Sequence, residues 1–253
     1  MTSFSRIISI FFLALLTLTL GSCDSNNKEV VEPSKKMLVM GTSADYPPFE
    51  FIKDKQIKGF DIDLAEIIAK KLGYSLYIRD ISFSGLIPAI QTERIDFAMA
   101  SFTRSPEREK VIDFSAAYYT PSYAMVYRKD KPIKSMKEID GMSVGVQLGT
   151  TLEDYLNTLL KNDNFKIISL TRTLPMIQDL KLGRLDAVLI EEAQAKVFIS
   201  KNDDLDYYLF TNEEYGYSIV FAKGSKLREQ FDEVLIQLRD SGELAELKKK
   251  WLF

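Results

Sequence analysis

Histidine is absent from all 253 residues, and cysteine occurs once, at Cys23. The first absence removes the commonest general base at neutral pH and the commonest transition-metal ligand. With a single cysteine there is no intrachain disulfide, so the folded part must hold through its core alone. Together these absences leave nothing from which to build a zinc site or a Ser-His-Asp hydrolase. Positive charge is not in excess either. Against 36 acidic residues stand 33 basic ones with no basic stripe, so nucleic acid is not an expected partner. No cofactor or metal is expected.

Long apolar runs are equally scarce, and the one present lies at the start. Arg6 precedes Ile7–Leu20, fourteen residues without charge. That is short for a bilayer span and the right length for a signal-peptide core. The run closes in Leu20-Gly21-Ser22-Cys23, which resembles a bacterial lipobox. Residues 1–22 are therefore expected to be a lipoprotein signal peptide, with Cys23 the lipidated first residue of the exported chain. Asp24 resembles the signal that holds lipoproteins of many Gram-negative bacteria at the inner membrane. Residues 23–36, charged and carrying Pro33 and Ser34, read as a tether. The expected location is outside the cytoplasm, periplasmic or cell-surface, with the lipid as membrane contact.

Beyond the tether, 46% hydrophobic content with 16 Phe and 12 Tyr supports a packed core, in one large or two modest lobes. Strands are expected at Met37–Thr42, Tyr74–Ile78, Ile95–Ala100, Tyr123–Tyr127, Ser143–Gln147, Phe165–Leu170, Leu185–Ile190 and Tyr215–Ala222. Helices are expected between most of them, and two more, Lys226–Arg239 and Glu243–Trp251, at the end. This alternation argues for an α/β fold with parallel-rich sheets, whose ligands gather at the carboxyl ends of strands. The chain also echoes itself: Ala89–Ala98 and Gln178–Ala187 each run from a helix end through a basic and an apolar residue to Asp and a strand. Two similar lobes follow.

One loop carries chemistry. After the apolar run ending at Ala100 come Ser101-Phe102-Thr103-Arg104-Ser105-Pro106-Glu107-Arg108. Hydroxyls, backbone N–H groups and a guanidinium can hold an anion, the last by two parallel hydrogen bonds. An ordinary surface loop with a solvated arginine fits the same residues.

A resemblance then becomes specific. In order come Gly41-Thr42-Ser43-Ala44-Asp45-Tyr46-Pro47-Pro48-Phe49-Glu50-Phe51, Gly59-Phe60-Asp61-Ile62-Asp63-Leu64-Ala65, Phe83-Ser84-Gly85-Leu86-Ile87-Pro88-Ala89 and Pro106-Glu107-Arg108. Asp113-Phe114-Ser115, Tyr118-Tyr119, Val144-Gly145-Val146-Gln147-Leu148-Gly149-Thr150-Thr151 and Asp186-Ala187-Val188 complete the series. Over residues 37–253 the chain resembles the bacterial extracellular solute-binding proteins of family 3. These are the polar amino-acid-binding proteins of ABC importers, of the glutamine, histidine and lysine/arginine/ornithine group.

The resemblance implies a two-lobed periplasmic-binding-protein fold of type II, joined by two crossover hinge strands and closing on its ligand. Lobe one would be 37–120 with 217–253, and lobe two 121–216. It implies that Arg108 holds the α-carboxylate, with Ser101, Phe102 and Thr103 beside it. Thr150 and Thr151 would offer N–H groups from a helix start, and Tyr46 and Phe83 would sandwich the side chain. A monomer working with an inner-membrane ABC permease is expected.

Two positions depart from the family pattern. Glu191 stands where an aspartate usually pairs with the α-ammonium, and reaches one methylene further. Ser43 stands where cationic-amino-acid binders often carry an aspartate, with Asp45 as a nearby substitute and Gln147 as a partner for a guanidinium or amide. The expected ligand is arginine or lysine, then glutamine. The alternative is an enzyme on the same scaffold, a cyclohexadienyl- or arogenate-dehydratase-like protein with Glu191 as general acid. A receptor's sensing half is not favoured, because no signalling segment follows Trp251-Leu252-Phe253.

Overall fold

The computed structural model of the chain describes residues 36–160, 164–210 and 216–252. The expected signal peptide, Cys23 and all but the last residue of the tether lie outside the described residues. Among those described, no helix is long and apolar enough to cross a membrane.

Two five-stranded sheets organise the molecule. The first contains β1 (Met37–Thr42), β5 (Ser75–Asp80), β6 (Phe97–Ala98), β7 (Ile112–Phe114) and β13 (Val220–Ala222), in the order β5-β1-β6-β13-β7 with β6 central. The second contains β8 (Tyr123–Arg128), β9 (Ser143–Gln147), β10 (Lys166–Leu170), β11 (Ala187–Glu191) and β12 (Leu205–Phe210), in the order β10-β9-β11-β8-β12. Each sheet is mixed rather than mainly parallel. β1 runs parallel to β5 and β6, and β9 to β10 and β11, whereas β13 in one sheet and β8 in the other lie antiparallel to both neighbours. The antiparallel strands are those beside the crossings between the sheets; from β7 to β8 the chain passes without an intervening helix.

Both faces of each sheet are covered, so strand residues alternate between two apolar layers instead of between core and water. In β8, Tyr123, Met125 and Tyr127 pack to one side and Ala124 and Val126 to the other. The layers come from helices α1 (Phe60–Lys71), α2 (Phe83–Gln91), α4 (Thr151–Leu159), α5 (Thr173–Lys181), α6 (Glu192–Ile199), α7 (Leu227–Asp240) and α8 (Glu243–Leu252); α3 (Pro106–Glu109) is a single turn. Phe60, Leu64 and Ile68 of α1 repeat every four residues and are fully buried. The internal echo has a structural counterpart. Asp96 N–H donates to Val39 O at 2.8 Å while its carboxylate accepts from Val39 N–H at 2.6 Å; Asp186 N–H donates to Ser143 O at 2.9 Å while its carboxylate accepts from Ser143 N–H at 3.0 Å.

Six elements went unread in the sequence. The three-stranded sheet of β2 (Asp45–Tyr46), β3 (Glu50–Lys53) and β4 (Gln56–Lys58) is too short and too exposed at its far end to show a period. β7 and α3 were hidden in the loop 101–118, and β12 is a sheet edge.

The chain passes from the first sheet to the second between β7 and β8 and returns between β12 and β13. These two crossings pair with each other. Tyr217 N–H donates to Tyr119 O at 2.7 Å, and Tyr118 N–H donates to Tyr217 O at 2.8 Å. Gly216 permits the approach, because a Cβ there would lie 2.5 Å from Tyr119 O and 3.0 Å from the Ala117 side chain. Gly216→Ala is expected to lower the unfolding free energy by about 2–4 kcal/mol, read from the urea midpoint. An unchanged midpoint would mean that the crossings part without cost.

Candidate functional site

The loop from Ser101 to Arg108 is built more tightly than its composition suggests. Ser101 follows β6 and holds a left-handed backbone, φ +53. Thr103 bridges to Tyr217. Ser105 then caps α3, its hydroxyl accepting from Arg108 N–H at 3.3 Å, with Pro106 at the first helical position. One turn of helix suffices to aim Arg108 inward, and only 8% of the residue stays exposed.

Among the described residues its guanidinium meets no carboxylate within ion-pair distance. Nη1 donates to Thr103 O at 2.6 Å and Nη2 to Gly149 O at 2.8 Å, while the charge lies 5.4 Å over the Phe83 ring and 5.3 Å over Phe102. Burial lowers its pKa to about 10, with Asp154 and Tyr123 acting in opposition. Five N–H donors facing two carbonyls leave capacity for an anion.

From the second sheet comes a helix start. Gly149 turns the chain after β9 with φ +81, a value that suits glycine. Thr150 caps α4 by accepting from Glu153 N–H at 3.2 Å, and the Glu153 carboxylate accepts from Gly149 N–H at 2.6 Å. The helix start, Thr150 and Thr151, lines the same cleft as Arg108, and the helix dipole favours negative charge at that end.

Between these pieces lies a cleft with about 290 Å³ of non-atom space, its open mouth included. Its walls are Tyr46, Phe83, Ala100, Ser101, Thr103, Arg108, Gln147, Thr150, Thr151 and Glu191. Nine of the residues singled out from sequence therefore meet at one place. Ala100 was not foreseen, since a residue presenting only backbone and a methyl leaves no chemical signal. Glu191 ends β11 with its side chain buried and makes no cap bond to α6, so it does more than charge a helix start. It lies against Tyr217, whose phenol is pushed well up, first by burial and then by the Glu191 charge. Gln147 donates through Nε2 to Thr171 O at 3.4 Å, leaving its carbonyl oxygen for another donor. Arg104 is not among the wall residues; it packs over Phe114 and pairs with Glu109.

Three expected residues do not line the cleft. Phe102 is fully buried beneath the wall, stacked 4.5 Å from Phe83. Ser43 is buried and bonded to Asp45 at 3.3 Å. Asp45 is committed elsewhere: Thr173 N–H donates to it at 2.5 Å and Arg172 Nη1 lies 3.6 Å away and 2.8 Å from Asp80. Burial is the main influence on Asp45 and raises its pKa, against the pull of Thr173 and Arg172. Asp45 thus ties the first-sheet side to the second and does not line the cleft. Sequence gave no sign of Arg172, whose partners are distant in the chain.

A buried cation without a carboxylate costs stability, and an apolar residue of similar length removes that cost. Arg108→Met without ligand is expected to match or exceed the wild-type unfolding free energy, by up to about 3 kcal/mol, in thermal or urea unfolding. A clear loss of stability would contradict the reading of Arg108 as uncompensated.

Comparison with known proteins agrees with this geometry. The family model for bacterial extracellular solute-binding proteins, family 3, matches residues 38–253. The arginine-binding extracellular protein ArtP of Bacillus subtilis is 40% identical over 241 residues, 94% of each chain. A probable histidine-binding protein of Campylobacter jejuni is 29% identical, covering 97% of this chain and 98% of its own. Among solved structures, an ancestral arginine-binding protein bound to arginine superposes with a TM-score of 0.83 at 34% identity, covering 87% of this chain and 99% of that one. The two-lobed α/β fold, the cleft and these matches lead to one conclusion: the chain belongs to the bacterial extracellular solute-binding proteins of family 3.

Proposed function

We propose that this protein binds one L-amino acid in the cleft, arginine first, then lysine and glutamine, and hands it to an ABC permease without chemical change. The observation that carries this reading is the buried Arg108 guanidinium, short of a carboxylate, on a wall that also holds Glu191 and two aromatic rings. An α-amino acid brings a carboxylate for Arg108 and the Thr151 N–H, and an ammonium whose charge is opposite to that of Glu191 on the same wall. Ser101 and Thr103 add hydrogen bonds. Tyr46 and Phe83 offer ring faces to a cationic or planar side chain, worth about 1 kcal/mol per ring. With Asp45 tied to Arg172 and Thr173, the Gln147 carbonyl and Thr150 are the remaining acceptors for a guanidinium. Relatives described as arginine-binding support that choice.

Delivery requires motion. We take 37–120 with 217–253 as one lobe and 121–216 as the other, moving about the Tyr119–Tyr217 crossing, as a monomer. Arg108–Gly149 and Arg172–Asp45/Asp80 are contacts made between lobes in the closed state. Lipidation at Cys23, after removal of residues 1–22, would hold the protein beside its permease.

A thermal-shift screen against the twenty amino acids should show the largest rise in melting temperature with L-arginine. In calorimetry, Arg108→Ala should cost about 3–5 kcal/mol of binding, since the ligand carboxylate would then be buried unpaired. No shift with any amino acid, or unaltered affinity in the variant, would overturn the proposal.

A further inference from the structure

Two carboxyl groups lie behind the pocket wall, and none of the ligand contacts above uses them. Glu50 belongs to β3 and Asp61 to the first turn of α1; they are 1% and 0% exposed. Their carboxyls are in hydrogen-bond contact with each other. Asp61 Oδ2 accepts from Ser101 N–H at 3.0 Å and from the Tyr118 hydroxyl at 2.9 Å, while Ser101 Oγ donates to Glu50 Oε2 at 3.4 Å. Asp61 Oδ1 is buried with no protein donor assigned to it. A proton on Glu50 supplies that donor.

Ser101 is the residue this pair grips, and it stands on the cleft wall. Its φ of +53 is disfavoured for any residue bearing a Cβ, so something must hold it there. Asp61 takes its N–H and Glu50 its hydroxyl, fixing the residue at both ends. Resting on the reading of the cleft as an amino-acid site, we propose that Glu50 and Asp61 are positioning residues. They form a carboxyl pair sharing one proton, which locks Ser101 in its left-handed conformation against the ligand.

Electrostatics supports one shared proton. Burial raises Glu50 well above the ordinary carboxylate range, helped by the charges of Asp61 and Asp45. Burial also raises Asp61, to about 6, opposed by hydrogen bonds from Ser101, Tyr118 and Glu50. Two touching, buried carboxyls do not both ionise at neutral pH. The titratable groups facing the pair are Asp45 from β2 and Tyr118 from the first crossing, with Tyr217 of the second crossing packed 6.3 Å from the Tyr118 ring. Tyr118 itself is pushed well up, chiefly by burial, and stays a hydroxyl donor.

The sign of the pH effect follows. Native Glu50 keeps a proton that the unfolded chain releases near its ordinary value, so its contribution to stability falls as pH rises from there toward the native value. Well above pH 6 Asp61 is ionised in both states, and the Glu50 effect stands alone. A glutamine has no such proton to keep.

Melting temperatures of wild type and Glu50→Gln without ligand, from about pH 7 to 8.5, test the shared proton. Wild type should lose about 3–5 °C per pH unit relative to the variant. A pH-independent difference overturns the proposal whatever the cleft binds. L-Arginine calorimetry at pH 7.5 tests the positioning role. Glu50→Leu should bind at least about tenfold more weakly, and Glu50→Gln, which keeps a donor for Asp61, should recover most of that loss. Equal affinities for the two variants overturn the positioning role. Absence of binding by wild type would instead sink the amino-acid reading.

Discussion

The structure turns on a guanidinium that has been taken out of water and given no carboxylate. Arg108 is held by two carbonyls and two ring faces, all contributed by neutral groups. Such a site is costly in the absence of an anion and strongly favourable in its presence, because the desolvation has already been met before binding. The rest of the cleft follows from that choice: α3 exists to aim the arginine, and Gly149 serves it twice. Its carbonyl holds the guanidinium, and its left-handed turn begins α4, whose start lines the same space.

The lobes communicate through polar contacts that apolar packing alone would not supply. Each sheet has its own two apolar layers, and the two crossings pair through Tyr119 and Tyr217. Contacts between the two sides include Arg108 to Gly149, Thr173 N–H to Asp45, and Arg172 to Asp45 and Asp80. Partly exposed pairs of the Arg172 type contribute little each in water. On the function proposed above, a ligand that grips both sides would decide the balance between open and closed lobes.

Much of this was legible because the chemistry is local. The Asp that closes each half of the internal echo, Asp96 and Asp186, does the same work in both lobes, and a short pattern suffices to show it. Arg108, Thr151 and Glu191 were found because each sits at a strand end or helix start, where sequence register fixes direction. The failures are non-local. Asp45 was expected to substitute for the aspartate missing at Ser43, but its partners Arg172 and Thr173 are more than a hundred residues away. Glu50 and Asp61 belong to two separate motifs, and only the fold makes them a pair. The edge strands β2–β4 and β12 carried too little apolar period to announce themselves.

The central claim is that the Arg108 side of the cleft awaits a carboxylate. It is tested most directly by calorimetry with L-arginine, L-argininamide and agmatine, which share a side chain but differ at the α-carbon. L-Arginine is predicted to bind, and both carboxylate-free analogues to lose at least about two orders of magnitude in affinity, the scale of a charge-assisted buried pair. Equal affinity of L-argininamide and L-arginine would contradict the account.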